Sequence, residues 1–119
     1  MRIGVTLENN SGMESNVSAH FGQCPFFLTA DVEDGKVIGS KVVENTAVHG
    51  GGGCAAVDAL LEHRITHVIA GGMGMNARNK FNAAGVKVYG YSGKVRDAIE
   101  GLLNNGIGGL EDCKEHGVC

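Results

Sequence analysis

Apolar and polar positions along this chain change their period several times, and each change marks an element. Residues 2–7 make a short β-rich run at the start of the sequence, read as a central strand. Residues 8–22 are polar and carry the turn cluster Asn9-Asn10-Ser11-Gly12. Pro25 opens a second β run over 26–32. Asp34-Gly35 then predicts a tight hairpin into a third run over 36–43. Residues 44–53 read as a loop. From Cys54 the period becomes helical, with Ala56, Val57, Leu60 and Leu61 on one face. A short strand over 67–70 ends in Gly71-Gly72. A helix over 76–84 follows, with Ala77, Phe81 and Ala84 on one face and Gly85 as its stop. Residues 86–90 form the last strand. Ser92 is the expected N-cap of a final helix. There Val95, Ala98, Ile99, Leu102 and Leu103 recur at helical spacing, the clearest amphipathic stretch in the chain.

Strands alternating with helices after one hairpin predict an α/β domain. Its sheet is mainly parallel with one antiparallel strand, and helices cover its faces. A chain of 119 residues suffices for one domain. No repeat and no second domain is visible. Residues 1–104 form the domain and residues 105–119 a flexible, glycine-rich tail ending in Cys113, His116 and Cys119. Ligands of such sheets sit at the carboxyl ends of the strands, where the glycine loops fall.

Composition sharpens this picture at one residue type. Glycine accounts for 20 residues, more than double the usual ~7% share. They cluster at 50–53, 71–74 and 106–109, which points to shaped loops. The net charge is −3, and lysines and arginines are scattered singly. Nucleic-acid binding, which needs a basic footprint, is therefore not expected. Apolar runs fall far short of the ~20 residues of a membrane span. The first residues lack the apolar centre of a signal peptide. The expected compartment is the cytoplasm, where four cysteines read as thiols or metal ligands.

Four constellations can carry chemistry. In His49-Gly50-Gly51-Gly52-Gly53-Cys54, consecutive glycines can take φ > 0 and bring bare N–H groups to a ligand. The helix that follows adds free N–H groups and a positive dipole end. This suits a phosphate, a carboxylate, an oxometallate or an anionic sulfur cluster, and it favours thiolate at Cys54. A plain loop with a core cysteine is the alternative. Gly71-Gly72-Met73-Gly74-Met75-Asn76 also joins a strand to a helix. It lacks the Lys-Ser or Lys-Thr of a phosphate-binding P-loop, and either methionine alone reads as packing. In Ser18-Ala19-His20-Phe21-Gly22-Gln23-Cys24-Pro25, His20 and Cys24 flank a turn and read equally as metal ligands or as ordinary turn residues. In the tail, Cys113-x-x-His116-x-x-Cys119 spaces soft ligands for one metal, against the alternative of an unstructured end. Hydrolytic chemistry is poorly served. Glu8, Asp31 and Asp58 are the obvious carboxylates, and Asp58 reads as part of a solvated helix face.

Together these motifs resemble the dinitrogenase iron–molybdenum cofactor biosynthesis domain family of NifX, NifB C-terminal and orange-protein type. The resemblance is carried by Ser18-Ala19-His20-Phe21-Gly22, Pro25-Phe26-Phe27, the glycines opening a helix at 50–53, Gly71-Gly72-Met73-Gly74-Met75-Asn76-Ala77 and Gly85-Val86-Lys87-Val88-Tyr89. It covers about residues 1–103 in the family's order and spacing. It implies a ribonuclease-H-like, three-layer domain around a five-stranded mixed sheet. It also implies binding of an iron–sulfur, iron–molybdenum or related metal–sulfur cluster near His20 and the two glycine loops. Cys24 and Cys54 stand where many relatives carry non-ligating residues, and the Cys/His tail is additional.

The expectation is a non-catalytic binding or carrier protein for such a cluster, acting in its assembly, storage or delivery and meeting other cluster-assembly proteins. Candidate ligands are His20, Cys24, Cys54, Cys113, His116 and Cys119. Gly50, Gly51, Gly52, Gly53, Gly71, Gly72, Gly74 and Asn76 would line the cluster. The alternative is a metal-free regulatory module that binds a small molecule or phosphate on the same loops. A small hydrolase is a third reading.

Overall fold

The computed structural model describes residues 1–19, 21, 24–45 and 52–104, with 52–56 as backbone only. Of the residues singled out above, His20, Gly50, Gly51, Cys113, His116, Cys119, the side chain of Cys54 and the 105–119 tail lie outside the described residues. The described chain runs β1 (Arg2–Leu7), β2 (Phe26–Glu33), β3 (Lys36–Glu44), α1 (Gly52–Leu61), β4 (His67–Ala70), α2 (Met75–Ala83), β5 (Lys87–Gly90) and α3 (Val95–Leu103). The sheet order is β3-β2-β1-β4-β5, which puts β1 in the centre as its sequence predicts. β1, β4 and β5 are parallel, and β2 runs antiparallel to both its neighbours.

Local chemistry explains most boundaries. Asp34 and Gly35 both take positive φ, +52° and +76°, the geometry of the two-residue hairpin that Asp-Gly favours. At the end of α2, Gly85 takes φ +82°. Its N–H donates to Asn82 O and the Val86 N–H to Phe81 O. This pair of bonds satisfies the last carbonyls of the helix, and Val86 and Phe81 also share the core.

Two expectations are corrected. Ser92 does not cap α3. The helix starts after Lys94, which makes no side-chain cap bond. The Val95 N–H instead donates to Ser15 O at 2.9 Å. Glu14 pairs with Lys94 and Arg96 beside that helix start, where a carboxylate suits the positive dipole end. A distant backbone carbonyl has replaced the local side-chain cap. The second correction concerns α1, which begins at Gly52 and not at Cys54. Gly52 and Gly53 therefore belong to the opening turn of a helix.

Both faces of the sheet are covered, which is why β1 is buried from Ile3 through Leu7. On one face Ile3, Val5 and Leu7 pack with Leu28, Ile69 and the Val95, Ala98, Ile99, Leu102 stripe of α3. On the other, Phe27, Val68 and Val88 meet Val57 and Leu60 of α1 and Ala77 and Phe81 of α2. A Cβ at Gly4 would lie 3.2 Å from the side chains of Leu60 and Ile65, so this glycine lets α1 settle closely on the central strand. The edge strand β3 is largely exposed and carries Lys36 and Lys41, charges that discourage edge-to-edge pairing. No helix among the described residues is long and apolar enough to cross a membrane.

His67 opens β4 with its ring stacked on Tyr89, centroids 6.0 Å apart, and its Nδ1 2.8 Å from Thr66 Oγ1. Burial pushes its pKa below the ordinary 6.5, helped by the positive charges of Lys87 and the N-terminus. The unfolded chain therefore binds this proton more readily than the folded one. The resulting stability is fully present above pH 6.5 and is lost as pH falls through the lowered folded value. Urea midpoints should fall across that window in the wild type, and by less in His67→Gln. Equal declines in the two proteins would refute the assignment to His67.

Candidate functional site

Parallel strands deliver their carboxyl ends to one edge of the sheet. Leu7, Ala70 and Gly90 lie there, joined by the start of β2 and the end of β3 through the Leu7–Phe26–Glu44 register. After β1 the chain folds back across this edge. Val17 bridges Leu7, and the Ser18 N–H donates to Thr6 O at 2.9 Å. The Val17 N–H donates to Gly93 O at 2.8 Å, which ties the same segment to the loop before α3.

The chain on either side of position 20 is then fixed to the second glycine loop. The Gly71 N–H donates to Ser18 O at 2.8 Å, and the Phe21 N–H donates to Gly72 O at 3.1 Å. Ser18 O also accepts from the buried Thr6 hydroxyl at 3.2 Å. The two backbones are so close that side chains are excluded. A Cβ on Gly71 would stand 2.8 Å from Ala19 Cα and Ser18 O, and one on Gly72 would stand 2.7 Å from Ala19 O. Neither glycine takes a positive φ. Glycine is needed here for close approach and not for an unusual dihedral. Phe21 anchors the segment from beneath, packing on Phe27 at 5.9 Å and edge-on to Phe81 at 5.4 Å.

Beyond this contact the loop opens outward. Gly74 caps α2 with backbone only, and Gly74, Met75 and Asn76 are exposed while Met73 is partly buried against the core. The first N–H groups of α2 have no acceptor one turn earlier in the helix. This surface therefore offers amide donors, the Met75 thioether and the positive end of a helix dipole.

The other sequence-selected residues distribute unevenly. Cys24 is near the same sheet edge but only 1% exposed, within the apolar layer of Phe21, Phe27 and Val57. Asn45 Nδ2 donates to Cys24 O at 2.8 Å and lies 3.9 Å from its Sγ. Among the described residues no three His, Cys, Asp or Glu side chains are grouped to hold a metal ion. The carboxylates considered for hydrolysis do not converge. Glu8 follows the carboxyl end of β1, whereas Asp31 pairs with Arg2 at 2.5 Å at the opposite end. Asp58 is exposed and pairs with Lys80 across α1 and α2 at 2.7 Å. A depression of about 250 Å³ at that opposite edge is lined by Arg2, Asp31, Lys41 and His63. Its arginine is already satisfied by Asp31 and by His63 O.

One residue at the site was missed in the sequence. Arg78, in the opening turn of α2, is 2% exposed. Its sequence signal was a cation placed at the positive end of a helix dipole, against the usual preference.

Comparison with known proteins agrees with this geometry. A Desulfovibrio gigas orange protein, solved in its apo form, superposes with a TM-score of 0.81 at 26% identity over 92% of each chain. A NifB-like protein from Thermotoga gives 0.73 at 33% identity, again over 92% of each chain. An uncharacterized protein of Methanocaldococcus jannaschii is 29% identical over 91 residues, 75% of this chain and 73% of that one. The family model described as dinitrogenase iron–molybdenum cofactor matches residues 1–105. This chain belongs to the dinitrogenase iron–molybdenum cofactor family.

Proposed function

We propose that this protein binds and carries a metal–sulfur cluster, of iron–sulfur, iron–molybdenum or related type, and catalyses no reaction itself. The cluster is its cargo, taken up and handed on within the cytoplasm during cluster assembly, storage or delivery. The observation that carries this reading is the backbone contact between segment 18–21 and Gly71-Gly72. It fixes Ser18, Ala19 and Phe21, on either side of position 20, against a glycine loop that opens a helix with its row of amide donors. Family membership supports the choice of cargo. The sheet order with β2 as its single antiparallel strand supports the ribonuclease-H-like label.

In this reading imidazole and thiolate bond the metal while backbone N–H groups meet the anionic sulfide edge. His20, Cys54 and the Cys113, His116, Cys119 tail are the assigned ligands. Gly50, Gly51, Gly52, Gly53, Gly71, Gly72, Gly74 and Asn76 line the cargo. Cys24 joins the ligand set only if its thiol leaves the apolar layer in which it is buried. Recipients would be other proteins of cluster assembly.

Anaerobic reconstitution with iron, molybdenum and sulfide tests the reading by metal analysis and visible absorption. The wild type should retain metal and sulfide through gel filtration. A variant combining His20→Ala, Cys54→Ser and truncation after Asn104 should retain neither. Absence of uptake by the wild type would refute the function, and full uptake by the variant would refute the ligands.

Gly72→Ala tests the contact itself. The added Cβ must push Ala19 away, a backbone clash that should cost about 1–3 kcal/mol of stability. Cluster retention should fall well below that of the wild type while the circular dichroism spectrum is kept. Unchanged retention would show that the 18–21 segment need not sit on the loop.

A further inference from the structure

α2 carries a buried cation, one nitrogen of which finds no partner among the described residues. Arg78 is 2% exposed, and its Nη1 is buried without a hydrogen-bond partner. The arginines and lysines that do form ion pairs among the described residues are Arg2, Lys80, Lys94 and Arg96. A buried guanidinium nitrogen without a partner is destabilising, because its lost hydration is not replaced. The helix adds to the penalty. Arg78 stands in the opening turn, where the dipole already presents positive charge. Nor does the sequence nearby offer relief. Between Glu62 and Asp97 there is no carboxylate, although Arg64, Arg78, Lys80, Lys87, Lys94 and Arg96 fall in that stretch. In a chain of net charge −3 this is a local reversal of sign.

Three features thus belong to one helix start: the buried guanidinium of Arg78, the helix dipole and the first-turn N–H groups without acceptors inside the helix. Helical side chains lean towards the helix N-terminus, which for Arg78 is the direction of the turn that starts at Gly74. The backbone N–H of Arg78 makes the first bond of the helix, to Gly74 O at 3.1 Å. One anion would satisfy all three.

We propose that Arg78 and the opening turn of α2 form a binding site for a tetrahedral oxyanion of the molybdate, sulfate and phosphate type. The guanidinium fork matches two oxygens of such an ion. Helix N–H groups take the others, as they do at anion-binding helix starts. The site rests on the burial of Arg78 and stands independently of the cluster reading above.

The full chain, free of added metal, is titrated with sodium molybdate, sulfate and phosphate at constant ionic strength, with chloride as the control. Calorimetry and thermal unfolding are the readouts. At least one of the three anions should bind one per chain and raise Tm above the chloride control. Arg78→Met should weaken that binding about tenfold or more, the loss of a charged bidentate contact. In chloride alone the same variant should unfold no earlier than the wild type, because it removes a buried charge without opening a cavity. Arg78→Lys keeps the charge without the fork and should bind more weakly than the wild type. It decides the matter if the methionine variant does not fold.

A preference for molybdate would identify the ion as a metal precursor. Equal binding of all three would identify a general oxyanion site, and both results support the proposal. It is overturned if no anion binds the wild type above the chloride control, or if the folded Arg78 variants bind as tightly as the wild type. Cluster uptake by a wild type that binds none of the three anions would leave the carrier reading standing while removing this site.

Discussion

Two stretches of backbone meet at the carboxyl edge of the sheet with no room for a Cβ between them. Ser18 O and the Phe21 N–H bond to the Gly71 N–H and Gly72 O, and Ala19 lies against both glycines. The carrier reading depends on that contact. It is specified by absence of side chains on one partner and by buried support for the other. The Thr6 hydroxyl bonds to Ser18 O from the central strand. Phe21 is held between Phe27 and Phe81. Because these supports come from β1, β2 and α2, the site is built on the rigid parts of the fold.

The same segment organises the opposite face. Ser15 O caps α3, and Glu14 pairs with the basic residues that open that helix. The chain between β1 and β2 therefore ties α3 to one side of the edge and the glycine loop to the other. A polar, turn-rich sequence with little secondary structure of its own becomes the link between the two layers. Arg78 adds the electrostatic side. A buried cation beside bare amides is a local conflict that a ligand would resolve, and conflicts of this kind concentrate where proteins bind something.

Much of the architecture was readable because local chemistry and global packing agree. The alternating and helical periods located every strand and α-helix of the described chain, and Asp34-Gly35 and Gly85 ended elements at the positions their dihedrals require. What escaped was set by contacts far apart in sequence. Ser92 has the chemistry of an N-cap, yet a carbonyl from residue 15 does the capping. The periodicity of α1 begins with its apolar residues, so it could not show that Gly52 and Gly53 are helical. Glycine content at 71–74 announced a shaped loop, but only the fold reveals that the shape serves backbone approach to Ala19. Arg78 sits one position after the apolar Ala77, and only the packed helix shows that it is buried.

The most direct test of the central claim is to follow the backbone amides of isotope-labelled protein by NMR as the metal–sulfur cluster is loaded. The account predicts that shifts and broadening concentrate at Ala19, Phe21, Gly71, Gly72 and Gly74 and in the opening turn of α2, at the carboxyl edge of the sheet. Changes centred instead on Arg2, Asp31 and Lys41 at the other edge, with residues 71–78 unmoved, would contradict it.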